Sequence, residues 1–517
     1  MIAKNGNLQP VPQLKLHGPE EECTQLQPPG VSKPTDDRAE LKNAYQIFSA
    51  HAQILPSQVH IPVPPVKVPR SPEEGHQVTD RHHNVFREME SLRDSWISKL
   101  QSLQSSTGPK QRSNWATVLL TGSTGSIGSY LLDRLIVHPG VEAVICLNRL
   151  ESGIAKQRKV NEERGLSCDF KKVEFLQTDN SSLHFFNLAE AQYADISNRV
   201  THIVHNAWPV NFNHPLHVFA PQLATCFRLI ELANNSANVV VTSFLSSFAA
   251  AVNCEGASIP ETKLEDFSVA ENMGYTRSKL LAELLFVAAN DNLKLPVDIC
   301  RIGQIAGPVT LTKGVWNPRE WFPSLLRSSK ELGKIPGNLG RLNHIDWIPV
   351  DELAPILCEA VVDSSSICAT LPMDARMRVL HFVNPQIRKW PDLVNDAIAA
   401  LGGGIQIVEY REWLQAVKSF NNDLVEKPEI AAKSYLPARK LIRFFENAGT
   451  PGLEAPKFET IQAKNASRSL EDLSPVSEGW LRCWIEQWRK RGLLDSAAFD
   501  IRPRGIRSDA EISRPRL

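Results

Sequence analysis

The hydrophobic pattern of the chain changes its period between residues 117 and 135. An unbroken apolar run from Val118 to Leu120 is typical of a short strand that is buried on both faces. After it, Leu131 and Leu135 lie four residues apart, and this spacing predicts an amphipathic helix. Because glycines separate the two patterns, we predict a strand, a tight turn and a helix in this segment.

The same two patterns alternate along the chain as far as about residue 305. Apolar runs predict further strands at 144–147, 172–176, 201–204 and 239–244, and helical spacing predicts helices at 84–103, at 219–234 and after residue 275. Strands that alternate with helices favour a parallel sheet. We therefore predict an α/β fold, a Rossmann-type doubly wound parallel sheet with a smaller, mainly helical C-terminal substrate domain.

Composition narrows the classes of protein to which the chain can belong. Its 517 residues carry a net charge of zero, so no overall field favours nucleic acid or an anionic membrane. Nine cysteines without a CxxC pair indicate a reduced compartment, and we expect neither a disulfide framework nor a metal site. The sequence has no apolar run of about 18 residues and no secretory signal, so we expect no membrane span and a cytoplasmic location. The terminal Pro515-Arg516-Leu517 resembles a peroxisomal address only loosely.

Gly122, Gly125 and Gly128 are spaced three residues apart between the predicted strand and helix. A turn without side chains lets backbone N–H groups approach a pyrophosphate, and the helix N-terminus adds about half a positive charge. A purely structural turn would also use glycines. The order of strand, glycine turn and helix favours a dinucleotide site.

The second predicted strand ends in Asn148-Arg149, about 20 residues after the glycines, where a fold that prefers NAD places an acidic residue. A guanidinium at this place can hold a 2′-phosphate, and Arg158 on the next helix can add positive charge. The alternative is a solvated basic helix face. We therefore expect NADPH in preference to NADH. Asp179, beyond the third strand, could accept the adenine amine, and His205 is predicted to be a hydrogen-bonded core residue.

Ser247, Tyr275 and Lys279 form a candidate catalytic set. Tyr275 and Lys279 are four residues apart and so share one helical face, where an ammonium would lower the phenol pKa from about 10. Tyr275 would deliver a proton to the substrate. Ser247, at the end of the strand 28 residues earlier, would donate a second hydrogen bond to the substrate oxygen, with Ser246 as the alternative.

These segments together resemble the extended short-chain dehydrogenase/reductase superfamily. Within it, the chain is most similar to the thioester reductase domains of fungal nonribosomal-peptide-synthetase-like enzymes, aminoadipate reductases and carboxylic acid reductases. The similarity spans about residues 117–494 and is carried by TVLLTGSTGSIGSYLLDRL, VICLNR, THIVHNAWPVNFN, MGYTRSKLLAE, ICRIGQIAGPV, DWIPVDELA and HFVNP.

The resemblance implies a role for each matching residue. The NADPH phosphates would contact Gly122, Ser123, Thr124, Gly125, Ser126, Ile127 and Gly128, and the 2′-phosphate would contact Arg149 and Arg158. Adenine would lie against Asp179 and Asn180, the ribose region against Asn206, Ala207 and Trp208, and the nicotinamide against Ile302 and Gly303. Ser247, Tyr275 and Lys279 would form the catalytic triad, and Lys279 would also hold the nicotinamide ribose.

The reaction that the resemblance implies is reduction of a carrier- or CoA-bound acyl thioester by NADPH to an aldehyde or alcohol, in secondary metabolism. Such reductases usually follow adenylation and carrier domains, and neither is recognised in this sequence. We therefore expect a free-standing reductase whose substrate is presented by a carrier protein in trans or diffuses freely. The alternatives are an extended dehydrogenase for a ketone, free aldehyde or nucleotide sugar, and a scaffold that binds cofactor without turnover.

The predicted organisation has five parts. Residues 1–85 carry 12 of the 35 prolines and are predicted to be a disordered linker, with a brief helix at 39–50. They are followed by an amphipathic helix at 86–112, an NADP-binding Rossmann domain at 113–305, a substrate-binding C-terminal region at 306–495 and a basic disordered tail at 496–517. In the C-terminal region, Trp480, Trp484 and Trp488 are predicted to be a helix-packing face, with a pocket lining as the alternative.

Overall fold

A computed structural model of the chain describes residues 72–104, 110–149, 153–178, 185–363, 376–420, 436–449 and 456–494. The predicted helix at 39–50, the linker before residue 72 and the tail at 496–517 lie outside the described residues, as do Asp179 and Asn180.

The centre of the structure is a parallel sheet of seven strands. In chain order they are β1 (Ala116–Thr121), β2 (Val141–Asn148), β3 (Val173–Gln177), β4 (His202–His205), β5 (Val241–Ser247), β6 (Val297–Ile302) and β7 (Met377–Phe382). Their order across the sheet is β7-β6-β5-β4-β1-β2-β3. The predicted doubly wound α/β fold is therefore confirmed, and the strand order reverses between β1 and β4.

Helices cover both faces of the sheet. Among the described residues before residue 360, the α-helices are α1 (Pro72–Ser102), α2 (Ser126–Val137), α3 (Gly153–Arg164), α4 (Glu190–Arg199), α5 (Ala220–Asn235), α6 (Gly274–Leu293), α7 (Trp321–Leu332) and α8 (Val350–Cys358). Leu119 packs with residues of α1, α4, α5 and α6, whereas Val118 and Leu120 pack with α2 and α8. Successive residues of β1 thus contribute to two different cores, which explains its unbroken apolar sequence.

Helix α1 begins at Pro72, inside the segment predicted to be linker, so that prediction is wrong for residues 72–85. Proline is tolerated in the first turn of a helix, where its missing N–H has no partner, and the next proline is Pro109. The helix is held in place by Met89 and Leu100, which are completely buried, and by Trp96, whose ring lies 5.7 Å from that of Phe227.

The remaining structure is mainly helical, as predicted. It comprises α9 (Val394–Leu401), α10 (Tyr410–Ser419), α11 (Ile442–Ala448), α12 (Ile461–Ala466), α13 (Arg468–Glu471) and α14 (Glu478–Lys490). Short strands pair 258–259 with 457–458, 305–306 with 348–349, 334–336 with 406–408, and 344–345 with 388–389. Because β7 comes from residues 377–382, the region after residue 305 also completes the sheet.

The tryptophans of α14 lie in an aromatic core. Trp484 and Trp488 are completely buried, and their indole N–H groups donate to the carbonyl oxygens of Gly307 and Trp316 at 2.8 and 3.0 Å. The ring of Trp316 lies 4.9 Å from that of Trp484. The prediction of a helix-packing face is therefore confirmed for these two residues. None of the helices in the described part of the chain is long and apolar enough to cross a membrane.

Candidate active site

The candidate site lies at the edge of the sheet where the parallel strands end. Thr121, Asn148, His205, Ser247 and Ile302 are the last residues of β1, β2, β4, β5 and β6. In open sheets of this type, ligands bind at the carboxyl ends of the strands, beside the point where the strand order reverses. Here that point lies between β1 and β4.

The backbone of the glycine turn is packed so closely that Gly122 and Gly128 have no room for a side chain. Gly122 has a φ of +73°, a left-handed conformation that favours glycine. A Cβ on Gly128 would lie 2.1 Å from the carbonyl oxygen of Gly122, and the N–H of Gly125 donates to the same oxygen at 3.0 Å. Helix α2 begins directly after Gly125, so the exposed turn leads into a helix N-terminus.

The end of β4 is bonded to this turn. The Nδ2 of Asn206 donates to the Gly122 carbonyl oxygen at 3.1 Å. Thr121 Oγ1 accepts the N–H groups of Asn206 and Ala207 at 3.1 and 3.0 Å, so its own hydrogen is free to reach His205 Nδ1 at 2.8 Å. Burial, and then the charge of Lys279, lower the pKa of His205 to about 3. His205 is thus the hydrogen-bonded core residue that the sequence predicted.

The other predicted phosphate-binding residues differ in exposure. Ser126 is exposed, and Thr124 and Ile127 are half-buried. Ser123 is completely buried, and its hydroxyl donates to Asn148 Oδ1 at 3.3 Å, so its side chain is not available for a ligand.

Arg164 was missed by the sequence analysis. It is the last residue of α3, and its Nη1 donates to the Gly125 carbonyl oxygen at 2.7 Å and to the Ser129 hydroxyl. It therefore braces the glycine turn from a position 39 residues away. No local pattern in the sequence marks this contact.

The two predicted 2′-phosphate residues are both exposed. Arg149 directly follows β2. Arg158 is on α3, with its guanidinium 5.5 Å from the centre of the Phe170 ring.

The structure brings Ser247 and Tyr275 together. Tyr275 is in the first turn of α6, and the Ser247 side chain lies near enough to its phenol to affect its pKa. Burial raises the pKa of Tyr275 to about 12, although the nearby Ser247 hydroxyl acts in the opposite direction. Ser246 instead donates to Glu283 Oε1. Of the two serines considered, Ser247 is the one beside the tyrosine.

Lys279 does not lower the pKa of Tyr275, so that expectation is wrong. Its Nζ donates to the Leu245 carbonyl oxygen at 2.6 Å and lies 4.5 and 4.7 Å from the ring centres of Trp208 and Phe244. Sharing a helical face with Tyr275 does not fix where this long side chain ends. Burial lowers the pKa of Lys279 itself to about 7, partly offset by Cys226 and Glu283.

A buried ion pair behind the site was also missed. Glu283, one turn after Lys279 on α6, pairs with Arg301 of β6 at 2.9 Å, and both side chains are almost completely buried. Arg301 Nη1 also donates to His381 Nε2 of β7 at 3.2 Å. Because Glu283 accepts from Ser246 as well, the pair fixes α6 against the ends of three strands.

The predicted nicotinamide border lies at the end of β6. Ile302 is buried, and the N–H of Gly303 donates to the Phe382 carbonyl oxygen at 3.0 Å. A Cβ on Gly303 would lie 2.7 Å from Val383 Cγ1, so glycine permits this close approach to the segment after β7. Trp208 is half-buried, and its Nε1 donates to the Ser278 hydroxyl at 3.3 Å.

Comparisons with known proteins agree with this geometry. Residues 120–357 match a family model described as NAD-binding, Male sterility protein. A carboxylic acid reductase of Neurospora crassa is 33% identical over 415 residues, which are 79% of this chain and 38% of that protein. An adenylate-forming reductase of Serpula lacrymans is 30% identical over 448 residues, which are 80% of this chain and 39% of that protein.

A solved structure shows the same fold. It is the crystal structure of the terminal R domain from the myxalamid PKS-NRPS biosynthetic pathway, with a TM-score of 0.62, 21% identity, and coverage of 77% of this chain and 97% of that one. The chain spans less than two fifths of the length of the two curated relatives. Over the part of each relative that it spans, the chain is similar to a carboxylic acid reductase and to an adenylate-forming reductase.

Proposed function

We propose that this chain is an NADPH-dependent reductase that converts an acyl thioester, bound to a carrier protein or to coenzyme A, to an aldehyde. The observation that carries the proposal is the placement of Ser247 at the end of β5 beside Tyr275 in the first turn of α6, at the same sheet edge as the glycine turn. The similarity to a carboxylic acid reductase and to adenylate-forming reductases supports an activated acyl group as the substrate.

The residues of the turn fit a dinucleotide. The backbones at Gly122 and Gly128 lie so close to neighbouring atoms that neither position has room for a Cβ. The exposed Gly125 precedes the N-terminus of α2. Such a surface offers N–H groups and a partial positive charge to a pyrophosphate. When bound, the nicotinamide cofactor supplies the hydride.

Ser247 and Tyr275 would act on the carbonyl oxygen of the thioester. As the carbonyl carbon gains a hydride, negative charge develops on this oxygen, and two hydroxyl donors stabilise it. Because burial raises the pKa of Tyr275 to about 12, its phenol is protonated at neutral pH, the state that a proton donor requires. The carbon–sulfur bond then breaks, which leaves an aldehyde and a thiol.

The preference for NADPH rests on the basic residues near the end of β2. Arg149 and Arg158 are exposed there, and Asn148 stands where an acidic residue would repel a 2′-phosphate. Lys279 is proposed to bind the nicotinamide ribose, beside Trp208. The assignment of Asp179 and Asn180 to adenine stays a prediction from sequence.

The experiment measures loss of NADPH absorbance by the purified chain with octanoyl-pantetheine and, separately, with octanal. We expect turnover with the thioester and NADPH, and slower turnover when NADH replaces NADPH. Tyr275→Phe is expected to lower kcat by about 10²- to 10⁴-fold while the Kd for NADPH is unchanged. Turnover with octanal but not with the thioester would contradict the proposal and favour an aldehyde or ketone dehydrogenase. NADPH binding without any turnover would favour a scaffold.

A further inference from the structure

An exposed aromatic side chain lies directly over Tyr275. The ring of Phe212 meets that of Tyr275 edge to face, with 5.3 Å between the ring centres and 89° between the ring planes. Phe212 is 54% exposed, whereas Tyr275 is only 9% exposed. The buried Phe219 lies on the tyrosine as well, at 6.3 Å. Phe212 therefore separates the tyrosine from solvent.

The loop that carries Phe212 is fixed against helix α6. Gly274, just before Tyr275, lies so close to the backbone of the loop that a Cβ there would be 2.3 Å from the carbonyl oxygen of His214. Within the loop, the N–H of Asn213 donates to Asn211 Oδ1 at 3.0 Å, and Asn211 Nδ2 lies 3.0 Å from His214 Nε2. The position of Phe212 over the tyrosine is thus set by backbone packing and by side-chain bonds.

The exposed surface of this loop carries polar and apolar side chains, Asn213 and His214 beside Val210 and Phe212. The segment 208–215 contains no Asp, Glu, Lys or Arg, and Val210 is exposed near Phe212. A substrate whose carbonyl oxygen reaches the Tyr275 hydroxyl must place its acyl carbons within a few ångströms of that ring. The side chain that borders the ring on the solvent side is Phe212.

We propose that Phe212 forms one wall of the acyl-binding site and selects thioesters with an extended apolar acyl group. The inference rests on the proposed function and names its substrate class. Phe212 acts by contact with the acyl chain and takes no part in proton or hydride transfer. Burial of apolar surface against a phenyl ring stabilises long acyl chains and leaves an acetyl group almost unaffected.

The test compares octanoyl-pantetheine with acetyl-pantetheine for the wild type and for Phe212→Ala. We expect the octanoyl-to-acetyl ratio of kcat/KM to fall about tenfold in Phe212→Ala, because KM for the octanoyl substrate rises. The ratio is expected to recover in Phe212→Leu. Trp115→Ala is the matched control, because Trp115 is equally exposed but precedes β1 at the opposite end of the strand. This variant is expected to keep the wild-type ratio.

Two outcomes would overturn the inference and are distinguishable. If the wild type reduces both thioesters and Phe212→Ala lowers kcat equally for both, Phe212 only shields Tyr275 and the inference alone fails. If the wild type reduces neither thioester, the proposed function fails and the inference fails with it. The Kd for NADPH, measured for each variant, identifies any loss that comes from misfolding.

Discussion

At the scale of single residues, burial acts in opposite directions on the two titratable groups of the predicted triad. It raises the pKa of Tyr275 to about 12 and lowers the pKa of Lys279 to about 7. In both cases the neutral form is favoured, because a low-dielectric environment disfavours charge. A neutral phenol suits reduction, in which the enzyme must give up a proton. The same environment explains why Lys279 turns to the Leu245 carbonyl oxygen and two aromatic rings.

The adjacent serines give a prediction at this scale. Ser247→Ala removes the hydroxyl beside Tyr275, and we expect kcat/KM to fall by about 10²- to 10³-fold without a change in the Kd for NADPH. Ser246→Ala removes only a bond to Glu283, and we expect it to lower the free energy of unfolding by about 1 kcal/mol with activity largely kept. Steady-state kinetics and thermal melts of both variants test this pair. If kcat/KM falls more in Ser246→Ala than in Ser247→Ala, Ser246 is the catalytic serine and Ser247 is not.

At the scale of elements, the glycine turn depends on contact between backbones. Gly128 is in the first turn of α2, and its Cα faces the Gly122 carbonyl oxygen, to which Asn206 of the neighbouring strand end also donates. One strand end, one turn and one helix are thus joined at a single oxygen atom. A side chain at this point would separate all three elements.

Gly128→Ala is therefore expected to damage both stability and cofactor binding. The added Cβ would lie 2.1 Å from the Gly122 oxygen, so the backbone must shift, at a cost of about 1–3 kcal/mol. We expect a lower Tm and a Kd for NADPH raised at least about tenfold by calorimetry. Gly479→Ala is the control, because a Cβ there meets only Ser477 Oγ at 3.6 Å and alanine favours a helix. NADPH affinity equal to that of the wild type in Gly128→Ala would contradict the role of the turn.

The sequence predicted those elements whose pattern is local. Periodicity and spacing identified β1, the glycine turn and α2, because each depends on positions along one strand or one helix face. Ser247 and Tyr275 lie on different elements 28 residues apart, and they were paired by the order of a strand-end serine and a tyrosine-lysine helix rather than by periodicity. The support from Arg164 and the ion pair of Glu283 with Arg301 depend on residues 18 or more positions apart, which no local pattern connects. Strand β7 escaped prediction for the same reason, since it joins β6 across about 75 residues of intervening chain.

At the scale of the whole molecule, the late part of the chain is bonded to the sheet through His381 of β7. Its Nδ1 lies 2.9 Å from the Glu459 carbonyl oxygen, and its Nε2 accepts from Arg301. The carboxylate of Glu261 accepts the N–H groups of His381 and Ala463 at 2.9 and 3.0 Å. A neutral histidine suits this place, because a protonated ring could not accept from a guanidinium. The stability of this junction therefore depends on the protonation of His381.

Burial, and then Arg301, lower the pKa of His381 to about 3, whereas an unfolded chain keeps the ordinary value near 6.5. As the pH falls from 7 to 5, the unfolded state takes up a proton that the folded state does not, so His381 makes folding less favourable by roughly 2 kcal/mol over this range. His381→Gln is expected to be less stable than the wild type at pH 7 but to lose less stability between pH 7 and 5. Urea unfolding at both pH values measures the difference, and His217→Gln, at an exposed histidine, is the matched control and is expected to follow the wild type. An equal loss in wild type and His381→Gln would show that this histidine does not stay neutral in the folded protein.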